Sequence, residues 1–140
     1  MTLIKIVILI FISLELANVT ALYFAPGSKM ANAVGIFKAW EKSKEYPEIH
    51  DFIKYLVNWV AGAKLIFLLL LAVIVVYADV NTQRMSLIAL AIATASFYWR
   101  LFPLIKKMDK KGEIDPKNYS VVLGIMIFVF IAVFLIAIII

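Results

Sequence analysis

Four long apolar stretches, separated by shorter charged ones, make up the chain. Thr2 to Tyr23, Phe52 to Tyr77, Met85 to Ile105 and Val121 to Ile140 carry almost no ionisable side chain. A helix rises about 1.5 Å per residue and a bilayer core takes roughly 20 residues to cross, so each stretch is long enough to span. The pattern predicts an all-α fold, a polytopic membrane protein with four transmembrane helices over 2–24, 52–78, 84–105 and 117–140, forming one domain over 1–140. Pro26-Gly27-Ser28 ends the first helix, and Ser28 is a fair N-cap for a second, shorter one. From there Met30, Ala33, Val34, Phe37 and Trp40 recur at helical spacing, with Lys38, Glu41, Lys42 and Glu45 on the remaining surface. This predicts an interfacial amphipathic helix over 29–44, between the first and second spans, anchored in the headgroup layer by Phe37 and Trp40. The polar run Asp79-Val80-Asn81-Thr82-Gln83 predicts a tight turn between spans two and three. Pro103 is expected to kink or fray the end of span three, and Asp115-Pro116 to cap and start span four.

Composition sharpens this picture by exclusion. Of 140 residues, 65% are hydrophobic and 16% charged, a balance that excludes a water-soluble globule. The net charge of +5 does not point to nucleic acid, because the basic residues sit in short loops beside the spans. Lys29, Lys38, Lys42, Lys44, Lys106, Lys107, Lys110, Lys111 and Lys117 fall in the first and third loops, against Lys5 and Arg84 on the opposite side. The expectation is a multi-pass cell-membrane protein with both termini non-cytoplasmic. Cysteine is absent, which removes disulfides, thiol redox chemistry and thiolate zinc sites. His50, the single histidine, lies beside Glu48 and Asp51, too small a set to predict a metal site, and no cofactor is expected. No glycine-rich phosphate loop, paired-histidine zinc motif or nucleophile elbow is present, so no catalytic residue is assigned.

Function then rests on the few polar residues inside the spans. A charge at the centre of a membrane helix costs about 2.5–3.5 kcal/mol on insertion scales, so unpaired charges facing lipid are disfavoured. Counting inward at about 1.5 Å per residue, Glu15 lies about 16 Å from Pro26 and Lys64 about 18 Å from Phe52, which places them at one level. Asn18 lies about 12 Å deep, and Asn58 and Arg100 about 9 Å deep. The pattern predicts a two-tier polar cluster of Glu15 and Lys64 near the midplane with Asn18, Asn58 and Arg100 nearer the cytoplasm. Asn58 and Lys64 are about 120° apart around their helix, so only the long lysine side chain, or a helix wedged between two neighbours, lets both join one site. Tyr98 and Trp99, with Phe102, read as an aromatic belt anchoring span three at the interface.

Four spans with one acidic residue in the first resemble the small multidrug resistance transporters, with Glu15 as the matching position. That resemblance implies proton-coupled export of lipophilic compounds, from which the long first loop and a partner at Lys64 depart. An asparagine early in span two, Asn58, after a sizeable first loop is similar to the membrane-bound glutathione-transferase and eicosanoid enzymes. Val57, Trp59 and Ala61 stand near it in place of the acidic residue and arginine of that family. From the residues themselves, the expected function is binding or transport of a small amphiphile or ion through the cluster. Glu15 would titrate or pair, Lys64 balance it, and Arg100 meet the polar end of the ligand. The alternatives are a non-catalytic accessory or scaffold subunit of a larger membrane complex, and a membrane-embedded enzyme acting on a lipid-like substrate. The partners implied are membrane lipids, a small amphiphilic ligand, and a second copy or a larger complex.

Overall fold

The computed structural model describes residues 2–140 and contains six α-helices among them. They are α1 (Leu3–Phe24), α2 (Lys38–Ser43), α3 (Pro47–Tyr77), α4 (Val80–Ala95), α5 (Leu101–Lys110) and α6 (Tyr119–Ile139). Four helical stretches among the described residues are long and apolar enough to cross a membrane: α1, α3, the α4–α5 stretch and α6. Thr2 caps α1 by accepting from the Lys5 amide, and Pro47 occupies the first turn of α3, where its missing N–H costs nothing. At 31 residues, α3 is about 46 Å long, more than a bilayer core of about 30 Å requires.

At the end that holds the N-terminus, all four stretches share one core. Ile4, Val7, Ile8 and Phe11 of α1 meet Leu71 and Val75 of α3, Leu87, Leu90 and Ala91 of α4, and Phe134 and Ala137 of α6. Phe11 sets its ring edge-on to Phe130 and Phe134, with centroids 5.4 and 5.3 Å apart. Further along, the bundle divides. Val19 and Leu22 pack on Val57, Ala61 and Leu68, joining α1 to α3, and the fully buried Ala61 lets these two backbones approach closely. Ile105 of α5 packs with Leu123 and Ile127 of α6 in a separate cluster that includes Ile36 and Ile114 from the loops.

Several boundaries differ from the sequence expectation, the start of α3 at Pro47 instead of 52 among them. Span three does not run unbroken from 84 to 105: α4 starts at Val80, gives way to a 3-10 turn at Ser96–Tyr98, and α5 begins at Leu101. Pro103 explains the place of the break. It has no N–H for the Trp99 carbonyl and its ring crowds that carbonyl, so the helix yields ahead of it and restarts with Pro103 in the first turn. At α6, Asp115-Pro116 does not form the cap. Asn118, at φ 65°, precedes Tyr119, and the Asp109 carboxylate accepts from the Asn118 amide (3.0 Å), the Ser120 amide (2.9 Å) and the Ser120 hydroxyl (2.7 Å).

A further difference is the first loop. A continuous helix over 29–44 does not form: Ala31 and Asn32 take left-handed backbone angles, Val34–Ile36 is one 3-10 turn, and only Lys38–Ser43 is α-helical. Gly35 closes the loop, donating to the carbonyls of Pro26 and Ser28 at 3.1 Å each. A Cβ there would stand 1.9 Å from the Gly27 carbonyl oxygen, so only glycine fits. Phe37 is extended and bridges to Ile114, with Lys38 N–H donating to Glu113 and Asp115 N–H to Ile36. Trp40, expected as a lipid anchor, is 6% exposed: its ring packs on Gly27 and lies 4.7 Å from the His50 ring. Phe37 is half-buried between the two loops, so neither aromatic is free to reach a headgroup layer.

Candidate functional site

Glu15 lies on the stripe of α1 that also carries Phe11, Asn18, Val19 and Leu22, and Lys64 lies on the stripe of α3 formed by Val57, Ala61, Leu68 and Leu71. Helical spacing turns both stripes toward the α1–α3 contact. There the Lys64 ammonium forms a salt bridge with Glu15 Oε2 and donates to Asn18 Oδ1 at 2.6 Å. The Asn18 amide nitrogen in turn donates to the Ala31 carbonyl at 2.5 Å. The amide can face only one way, because an ammonium only donates and a carbonyl only accepts. Asn18 thus joins the ion pair to the first loop.

The loop tip folds back alongside α1 to reach it. Asn18 is six residues inside the end of α1, so Ala31 sits about 9 Å toward the bundle middle from Phe24. Asn32 then reaches across to α6: Tyr119 O–H donates to its Oδ1 at 2.8 Å, and its amide nitrogen lies 3.8 Å from the Met126 sulfur. The tip therefore bridges α1 and α6 where the two halves of the bundle diverge. The pair beneath it is partly enclosed: the Glu15 and Lys64 side chains retain 21% and 32% of their surface exposed, but Glu15 Oε2, the oxygen that faces Lys64, is buried and accepts no hydrogen bond.

Two residues expected in the cluster lie elsewhere. Asn58 is exposed and lines a cleft of about 190 Å³ at the end of α1 and the start of α3, with Leu22, Tyr23, Pro26, Lys54 and Val57. The separation of about 120° from Lys64 decides this, because Lys64 turns to Glu15 and leaves Asn58 on another face. Arg100 is exposed at the α4–α5 break with its guanidinium 5.1 Å above the Trp99 ring, because the unwound turn before Pro103 swings it off the α4 face. Tyr98 ties the break to α6 by donating to the Gly124 carbonyl at 2.7 Å, whereas Trp99 is 74% exposed. His50 Nδ1 lies 2.7 Å from Ser43 Oγ. No group of three or more metal-ligating side chains occurs among the described residues.

Sequence reasoning missed Ala31, Asn32, Gly35 and Tyr119. The signal for the first three was Gly27 and Gly35 flanking Asn32, glycines and an asparagine being the residues that tolerate tight and left-handed turns. Chemically, the site offers a carboxylate and an ammonium side by side, neutral as a pair, with an amide relaying to a loop. A second cleft, about 160 Å³ and apolar, runs between α1 and α6 past Leu14, with Ile10, Phe11, Val129, Phe130 and Val133 along it. No family model matches this chain, and neither does any curated protein or solved structure.

Proposed function

We propose that this chain spans the cell membrane four times, with its lysine-rich loops cytoplasmic and both termini outside, and binds a small amphiphile or ion at the Glu15–Lys64–Asn18 cluster. The observation that carries this reading is the incompletely satisfied ion pair: part of each charged side chain stays accessible at mid-length of α1 and α3, while Glu15 Oε2 is buried without a hydrogen-bond donor and so is an acceptor that a ligand could satisfy. A cationic head pairs with Glu15 when Lys64 turns away, and an anionic head pairs with Lys64 when Glu15 does; each adds its own charge to the neutral pair, and a released Lys64 keeps Asn18 Oδ1 as a partner. The apolar cleft between α1 and α6, whose lining includes Leu14, the chain neighbour of Glu15, supports an apolar tail. Transport is the extension of this reading in which the loop tip at Ala31–Asn32 moves to admit the ligand.

The test uses purified full-length protein with two probes, the lipophilic cation tetraphenylphosphonium and a medium-chain alkyl sulfate below its micellar concentration. Glu15→Gln should weaken binding of the cation and spare the anion, and Lys64→Met should do the reverse. Wild-type protein that binds neither probe, or variants that bind both as wild type does, would remove the basis for this role. The rival reading, an accessory subunit without a ligand, predicts instead a stoichiometric partner that survives purification in mild detergent.

A further inference from the structure

The helix α5 differs in kind from the spans around it. Its first five residues, Leu101 to Ile105, are apolar and its last five hold Lys106, Lys107, Asp109 and Lys110 with Met108 alone among them, so a hydrocarbon-crossing segment does not continue past Ile105. The break before it leaves Val80 to Trp99, 20 residues or about 30 Å, a full bilayer core's length without α5. Its direction changes too. Phe102 meets α6 at Gly124, where a Cβ would stand 2.8 Å from the Phe102 ring, while Asp109 bonds to Ser120. Seven residues of α5, about 10 Å, advance only four residues along α6, about 6 Å, so α5 runs oblique to it.

Charge is sorted on this helix by the capping of α6. Asp109, the only acidic residue in α5, is turned inward and committed to the Asn118 and Ser120 amides. Lys106, Lys107 and Lys110 are exposed, and none of the salt bridges among the described residues involves them; Lys111 beside them makes only a 3.9 Å contact with Glu113. On the same exposed segment Leu104 is 54%, Leu101 38% and Trp99 74% accessible, with Arg100 stacked over Trp99. Apolar side chains with an aromatic–cation pair at one end and uncompensated lysines at the other are the two halves of an interfacial contact.

We infer that α5 is the membrane-surface helix of this protein and that Lys106, Lys107 and Lys110 form a binding surface for anionic phospholipid headgroups, with Trp99, Leu101 and Leu104 set among the acyl chains. Charge complementarity favours this occupant: each lysine near an anionic surface strengthens the attraction about fivefold, an effect that salt screens. This surface lies apart from the Glu15 cluster, and its test is independent of any ligand there.

The experiment reconstitutes the full chain in bilayers of phosphatidylcholine containing a minor fraction of phosphatidylglycerol, and measures the relative association of spin-labelled versions of the two lipids with the protein. Wild type should prefer phosphatidylglycerol by about fivefold or more at low salt, and 0.5 M salt should bring the ratio toward one. The triple variant K106Q/K107Q/K110Q should lose most of the preference, and the triple arginine variant should keep it. A wild-type ratio near one at low salt, a preference that survives 0.5 M salt, or a glutamine variant that selects as wild type does would each overturn the inference. Should the triple glutamine variant fail to reconstitute, the single variants K106Q, K107Q and K110Q decide: each should lower the preference, and three variants that all select as wild type does would overturn the inference.

Discussion

Asn18 is the residue on which the candidate site turns. Its oxygen accepts from Lys64 and its nitrogen donates to Ala31, so one amide serves an ion pair and a loop at once. It is 7% exposed, too buried for water to replace either bond freely. Replacing it with leucine keeps the volume but takes this partner from the Ala31 carbonyl and one Lys64 proton. Ala31 and Lys64 keep access to their surroundings, so the expected loss is the net worth of the lost hydrogen bonds, about 0.5–1.5 kcal/mol of stability. Equilibrium unfolding of Asn18→Leu in detergent measures it. The same variant should raise proteolytic cleavage near Met30, whose side chain is 77% exposed, by releasing the loop tip. A variant as stable and as protease-resistant as wild type would mean that the tip is held by Asn32 and Tyr119 alone.

At the scale of elements, hydropathy located the spans but not their ends. The apolar runs of α1 and α6 fixed those helices to within two residues, because nothing inside them competes with helix formation. Counting inward from Pro26 and Phe52 put Glu15 and Lys64 at one level, and the two do meet in a salt bridge, although α3, with 31 residues, is longer than α1, with 22. Beyond the reach of local pattern was anything set by contacts distant in sequence. The first loop has helical periodicity, yet its backbone follows Gly35, the bridge to Ile114 and the Asn18 amide, none of which local spacing encodes. Trp40 and Phe37 were consumed by that loop, and Arg100 was displaced by a proline three residues later. The start of α6 belongs to the same class, because its cap comes from Asp109 on another helix. Asp109→Ala should therefore fray α6 from its first turn and speed exchange there by about five- to tenfold, as the loss of an N-cap does. Hydrogen exchange at the amides of Tyr119 to Leu123 measures this directly. Protection equal to wild type there would assign the cap to another group.

Across the whole molecule, one end is unified by a shared core and the other is divided, so the divided end depends on its straps. The first and third loops are tied by the Phe37–Ile114 bridge and by the Lys29–Asp115 salt bridge, and these join the α1–α3 half to the α5–α6 half. The hydrogen bond from Lys29, then its charge, holds the Asp115 carboxyl below its ordinary value of 3.8. Asp79, at the opposite end, is lowered by the Thr82 amide and hydroxyl that it accepts from at the start of α4. A carboxyl whose pKa is depressed by folding contributes stability that is present above its unfolded pKa and lost as pH falls through its folded one. Stability should therefore stay level from neutral pH down to about 5 and decline below about 4. Both carboxylates are exposed, so each effect is small and screened by salt. The two ends can be separated by variants. Asp115→Asn should remove part of the acid decline and, at neutral pH, loosen contacts between the loops while leaving the shared core protected from hydrogen exchange. Asp79→Asn should remove a different part and expose the first turn of α4. If acid lowers the unfolding midpoint of Asp115→Asn as steeply as that of wild type, the strap carries no pH dependence, and the two halves are then joined at that end by the bridge and the Asn32–Tyr119 contact.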